Sequence, residues 1–204
     1  ALLCVVMGCT TLGQGFSAAA ADATTSEEEV EINFAKALQM SLYFYDANKC
    51  GSGITGGNLE WRGDCHTEDA AVPLKPMGKD YKGTNLSQEF IDAHRDILDP
   101  DGDGTIDVAG GMHDAGDHVK FCLPGSYAAS TLGWGYYEFR DAYVDSGQQW
   151  HVEDILHWFN DYYLKCTYFD ENGDILAFCY QVGEGDIDHN YWNAPELQNE
   201  SLLD

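Results

Sequence analysis

Two carboxylates, Asp114 and Asp117, stand three residues apart in the run Gly110-Gly111-Met112-His113-Asp114-Ala115-Gly116-Asp117-His118-Val119-Lys120-Phe121. Only Ala115 and Gly116 separate them, so no bulk prevents both acids from turning toward one point. One ionised carboxylate can take a proton from water while a second acceptor holds that water in place. His113, His118 and Lys120 lie near enough in sequence to orient or tune the pair. Asp and Gly are also good turn formers, so the same four residues read equally as a tight turn. The rest of the chain has to decide between the two.

A second acidic run precedes the first. Asp99, Asp101 and Asp103 occupy loop positions one, three and five, followed by Gly104 at six, Ile106 at eight and Asp107 at nine. That is the pattern of an EF-hand Ca²⁺ loop. Gly110 stands at position twelve, where a bidentate carboxylate should close the site. The expected ligands are Asp99, Asp101, Asp103 and Asp107; the alternative is an Asp/Gly-rich turn delivering the chain to Asp114.

Bulk properties narrow the classes. The chain has 204 residues and a formal net charge of -25, which repels phosphate and argues against a nucleic-acid partner. Its 12 Tyr, 9 Phe and 5 Trp supply either a large core or flat faces for the apolar C–H sides of sugar rings. Of 7 Cys, Cys4 and Cys9 fall in the apolar N-terminus. The other five leave at least one thiol unpaired; Cys50 and Cys65, flanking a Gly-rich loop, are the expected disulfide, and no spacing reads as a zinc site.

The elements that must position these residues are mostly helical. Residues 1–23 read as a secretory signal clipped at its start, with small-residue cleavage sites at Ala18–Ala20 and Ala21–Ala23. Secretion into the extracellular space follows, and no later segment is apolar enough to span a bilayer. Ser26 and Glu29 form a capping box for a first helix, whose apolar residues recur from Phe34 to Tyr45 until Gly51-Ser52-Gly53. A long loop carries Trp61-Arg62-Gly63-Asp64. A second helix is expected from Pro124 to about Tyr143, with Tyr127, Trp134 and Phe139 as core positions, and a third over 152–166. Residues 175–182 read as a short strand or extended segment.

These pieces, taken in order, resemble the catalytic domain of glycoside hydrolase family 9. The residues that carry the likeness are Leu42-Tyr43-Phe44-Tyr45-Asp46, Trp61-Arg62-Gly63-Asp64, the run from Gly110 to Phe121, and Gln181-Val182-Gly183 leading to Asp188-His189-Asn190-Tyr191-Trp192 and Pro195-Glu196. It extends over about Glu31 to Asp204. The resemblance implies an all-α fold, the N-terminal portion of an (α/α)6 barrel, and hydrolysis of β-1,4-glucosidic bonds in cellulose or a related β-glucan with inversion. It makes Asp117 the catalytic base and Asp114 a holder of the nucleophilic water, and it places His189 and Trp192 in the sugar cleft. No cofactor is expected for the chemistry, with Ca²⁺ in a structural role only. Neither nucleic acid nor membrane is an expected partner. Appended carbohydrate-binding or dockerin domains would lie beyond residue 204.

The chain departs from the family pattern at Cys122, where Gly is usual, and at Cys65-His66-Thr67-Glu68-Asp69, where a Ser-Gly pattern is common. Inversion also needs a second, protonated carboxyl roughly 6.5–9.5 Å from the base. In the family that Glu lies near the end of the barrel, and no stretch here matches its motif. Twelve helices of ~12 residues need far more than 204 residues. The expectation is therefore an N-terminal fragment, inactive alone. Two rival readings stand beside it. One is a non-catalytic, Ca²⁺-dependent carbohydrate-binding or adhesion module; the other is a metal-dependent hydrolase with His113, Asp114, Asp117 and His118 as ligands.

Overall fold

A computed structural model describes residues 32–198. The expected signal segment and the Ser26 capping box lie outside the described residues. In chain order the helices are α1 (Phe34–Asn48), α2 (Gln88–Ala93), α3 (Arg95–Leu98), α4 (Cys122–Glu138), α5 (Arg140–Asp145), α6 (Gln149–Lys165) and α7 (Gly185–Asp188). The strands are β1 (Val72–Pro73), β2 (Thr105–Ile106), β3 (Lys120–Phe121), β4 (Thr167–Phe169), β5 (Ile175–Phe178) and β6 (Gln181–Val182). They pair as three antiparallel two-stranded ribbons, β1–β2, β3–β6 and β4–β5, between the helices.

Among the described residues α1 starts at Phe34. The Asn33 side chain accepts from Lys36 N at 2.9 Å and satisfies one of the amides left open in the first turn. The helix packs on α6, where Leu42, Val152, Ile155 and Phe159 meet Tyr143 in one apolar cluster. Beside it, Asp46 is buried with the neighbours an anion needs: His151 Nε2 at 2.6 Å, Lys49 Nζ at 3.0 Å and Asn58 Nδ2 at 2.9 Å. Burial pushes this carboxyl up, and its hydrogen bonds with His151, Asn58 and Lys49 outweigh burial and leave it below its ordinary value.

The single helix expected over 124–143 is two. Phe139 leaves helical geometry at φ -122° and ψ 35°, between α4 and α5. Gly133 and Gly135 make the helix locally weak, and the bend turns Tyr143 inward, where it is 8% exposed. The expectation that Tyr127, Trp134 and Phe139 are core residues is also corrected: they are 73%, 69% and 67% exposed. That face of α4 has no apolar partner among the described residues, whereas its opposite face, with Ala128, Ala129 and Leu132, packs against the α1–α6 cluster.

A second cluster, Leu74, Ile91, Leu98, Ile106, Val108, Cys122, Tyr162 and Cys166, lies under the ribbons. Cys122 sits here rather than facing a cleft, its thiol donating to Cys179 O at 3.4 Å and pushed up to about 11 by burial and the neighbouring Cys179. No helix among the described residues is long and apolar enough to cross a membrane.

Candidate active site

The Asp114–Asp117 loop is fastened at both ends. On one side it is sewn to the end of α1: Cys50 N donates to Gly111 O at 2.9 Å, and His113 N to Asn48 O at 2.9 Å. The Trp158 indole on α6 also donates to Gly111 O, at 2.8 Å. Gly111 is required here, because it has φ +75° and a Cβ would lie 2.7 Å from the Tyr162 ring. On the other side Asp114 N donates to Val119 O at 3.0 Å, closing a tight loop that runs directly into β3.

Pairing of β3 with β6, Lys120 opposite Val182 and Phe121 opposite Gln181, then lays the following segment across the loop. The Glu184 carboxylate accepts from Ile187 N at 2.7 Å and starts α7. Asp188, buried, accepts from His118 N at 2.6 Å and from Gln198 Nε2 at 3.0 Å. This fixes the next residue, His189, whose Nδ1 lies 3.2 Å from Asp117 Oδ2. Trp192 packs edge-on to His189 with ring centres 5.4 Å apart. Its ring passes so close to Gly116 that a Cβ there would meet it at 2.8 Å.

The four sequence-predicted residues therefore lie along one short stretch of surface. Asp117 is buried at 9% exposure, and its Oδ1 is buried with no hydrogen-bond partner. Asp114 is exposed. Partial burial and the charge of Asp117 raise its carboxyl above the ordinary 3.8, as expected for two acids sharing one site. Trp192 is 69% exposed and offers a ring face to solvent. The arrangement suits a base with one free oxygen, a neighbouring acceptor, an imidazole and a stacking surface.

Asp188 and Gln198 escaped sequence reasoning. Gln198 Oε1 bonds His118 Nδ1 and lies 3.2 Å from His66 Nε2, so one amide links two loops far apart in sequence. The four-ligand rival built on His113, Asp114, Asp117 and His118 is not what the structure assembles. His113 and His118 pack against each other and against His66, while Asp117 faces His189.

A different metal-ligating cluster lies beneath the loop. One donor atom each from Cys50, Cys65, His66 and His113 falls within 4.8 Å of all the others. The expected Cys50–Cys65 disulfide is absent; both are free, buried thiols. A hydrogen bond between them lowers the Cys65 thiol and, with burial, raises that of Cys50. Burial also keeps His113 below 6.5, in the neutral form that ligates metal. His113 Nε2 and His66 Nδ1 are buried without hydrogen-bond partners. Two thiols and two imidazoles form a donor set suited to structural zinc, one that no local spacing in the sequence announces. The local clue was Cys65-His66; Cys50 and His113 arrive only through the α1-to-loop hydrogen bonds. A zinc ion there would clamp the loop after Trp61 to the residue before Asp114. Metal analysis of the purified protein should find one zinc at this cluster, lost in Cys65→Ser. A strong chelator should lower the melting temperature of the wild type and leave that of the variant unchanged.

The chain belongs to glycosyl hydrolase family 9: the model of that family matches residues 34–202. It is 57% identical to the catalytic domain of Clostridium thermocellum CelT, with a TM-score of 0.77 over 82% of this chain and 33% of that one. The cellulase Cel9M of C. cellulolyticum is 38% identical with a TM-score of 0.58, over 82% of this chain and 31% of that one. Among curated relatives, Endoglucanase 4 of Bacillus sp. (strain KSM-522) is 34% identical over 167 residues, and Endoglucanase A of Bacillus pumilus 32% over 176. The chain spans 21% of the length of each. The fold is accordingly part of the (α/α)6 barrel of family 9 cellulases.

Proposed function

We propose that the whole enzyme carrying this chain is a secreted endoglucanase that hydrolyses internal β-1,4-glucosidic bonds of cellulose or a related β-glucan with inversion at the anomeric carbon. The observation that carries the reading is the state of Asp117. One of its oxygens faces His189, the other is unengaged, and the exposed Trp192 ring stands alongside. In the reaction Asp117 takes a proton from water as that water attacks the anomeric carbon. Asp114 accepts a second hydrogen bond from the same water and fixes its direction. His189 donates to a sugar hydroxyl, and the Trp192 indole stacks on the apolar face of a ring.

The leaving oxygen must receive a proton from a carboxylic acid across the sugar. Glu184 and Glu196 are engaged elsewhere, the first with Ile187 N and the second with Arg62 and Gly63 N. The acid is therefore not assigned to either. Reducing-sugar release from a soluble β-1,4-glucan, compared between the whole enzyme and its Asp117→Asn variant, tests this reading. Full activity in the variant would contradict it and would favour a binding module, in which the aromatic surface serves attachment alone.

A further inference from the structure

We infer that Cys166 and Cys179 are a redox-active dithiol, which a small-molecule disulfide such as oxidised glutathione converts to a disulfide that locks the end of α6 to the segment entering β6. The hairpin sets the geometry. In the β4–β5 ribbon Thr167 stands opposite Phe178, and one position further out Cys179 N donates to Cys166 O at 2.9 Å. Directly opposed residues of an antiparallel ladder point to the same face, with Cα atoms about 5.5 Å apart in a hydrogen-bonded pair. That spacing lies within the range of natural disulfides. The packing agrees, because both side chains meet the cluster that holds Cys122 and Tyr162. A buried cysteine alone is a small apolar side chain; two opposed across a ladder are a candidate bond.

The two thiols differ in access. Cys166 is fully buried and Cys179 half-buried. A hydrogen bond with Cys166 outweighs burial and holds the Cys179 thiol below its ordinary value. The same bond, together with burial, pushes the Cys166 thiol up. A reagent therefore meets Cys179 first, in the more readily ionised form, and Cys166 resolves the adduct. The Cys179 thiolate attacks one sulfur of glutathione disulfide and expels one glutathione thiolate. Cys166 then gives up its proton as its sulfur attacks Cys179 Sγ, and the second glutathione leaves. Two protein thiols are oxidised, and one glutathione disulfide is reduced to two glutathiones.

Cys122 is the thiol left over. It donates to the Cys179 carbonyl oxygen at 3.4 Å and so addresses the backbone of Cys179 rather than its sulfur. The link would close the short loop from Thr167 to Phe178 onto α6. The last turn of that helix is itself held, because Lys165 pairs at 3.0 Å with Asp107, which stands apart from the group of Asp99, Asp101 and Asp103. From Cys179 the chain enters β6, which pairs with β3 and leads to α7. Oxidation would thus stiffen the support of His189 and Trp192 without touching either.

The test is peptide mapping by mass spectrometry of the whole protein after incubation with oxidised glutathione, its remaining thiols alkylated in denaturant. A peptide pair joined through Cys166 and Cys179 should appear, and reduction should abolish it. Cys166→Ala should instead keep a lasting glutathione adduct on Cys179, and in Cys179→Ser Cys166 should stay free. The oxidant should raise the melting temperature of the wild type by about 2 °C or more beyond any shift in Cys179→Ser. Recovery of both wild-type cysteines alkylated, a lasting adduct on wild-type Cys179, a Cys122–Cys179 link, or equal thermal shifts in the two proteins would overturn the assignment. If Cys166→Ala fails to fold, Cys179→Ser, changed at the half-buried position, carries the comparison.

Discussion

Asp117→Asn in the whole enzyme should lower kcat by about 10²–10⁴-fold, the range that a positioned general base contributes. Asparagine has the size and shape of aspartate, and Asp117 makes few contacts that the amide cannot keep. The backbone of the loop is held by Asp114 N to Val119 O and by the bonds from Cys50 and His113, none of which involves this side chain. The melting temperature should therefore stay close to that of the wild type. Substrate binding should also persist, because Trp192 and His189 keep their places on the segment fixed by Asp188. A fall in kcat and kcat/KM together, with KM nearly constant, marks an interaction made only in the transition state. Asp114→Asn should cost less, because an amide oxygen still accepts a hydrogen bond from water.

Arg62→Met should have the largest effect on stability. The Arg62 side chain is 2% exposed, and its guanidinium fork reaches two other chain segments at once, the end of α1 and Glu196. Nε donates to Glu196 at 2.7 Å, Nη1 to Ala47 O, and Nη2 to Lys49 O at 3.0 Å. It thus caps the carbonyl end of α1, where a positive charge is favourable, and ties the residues after Trp192 to that helix. Methionine fills much of the volume but leaves two carbonyls without this donor and strips the partly buried Glu196 carboxylate of its charged partner, with Gly63 N still donating to it. Removing one partner of such a pair costs about 3–5 kcal/mol when fully buried. Glu196, with its side chain 23% exposed, brings the expectation toward the lower end.

The pH dependence has a definite sign. Burial raises the Glu196 carboxyl, but Gly63 N and Arg62 outweigh it and leave the group below its ordinary 4.5. Its contribution to stability is therefore present above that value and lost as pH falls through the folded-state value. The difference in unfolding free energy between wild type and Arg62→Met, measured in urea, should narrow as pH drops below 4.5. A gap that stays constant to low pH would show that the carbonyl contacts alone supply the stabilisation.

The site was legible in the sequence to the extent that its residues are local. Asp114, Ala115, Gly116 and Asp117 could be read directly, since the small residues between the two acids leave both free to turn toward one point. The role of Arg62 was not legible, because Glu196 lies 134 residues away and comes within reach only through the β3–β6 pairing. The same holds for the Cys50, Cys65, His66 and His113 donors. The Cys65-His66 departure from the family pattern near Trp61 supplies half of that set. Helix placement followed from periodicity in α1 and α6, whose apolar residues face each other. It failed on α4, where the same periodicity is satisfied by an outward face with no neighbour among the described residues. Periodicity reports that a face is apolar; it does not say what covers it.

The most direct test is the stereochemistry of the first product. Proton NMR during early turnover of a cello-oligosaccharide by the whole enzyme should show the α-anomer of the new reducing end appearing first, with the β-anomer following only by mutarotation. An initial β-anomer would mean retention, and with it a carboxylate attacking carbon rather than Asp117 deprotonating water.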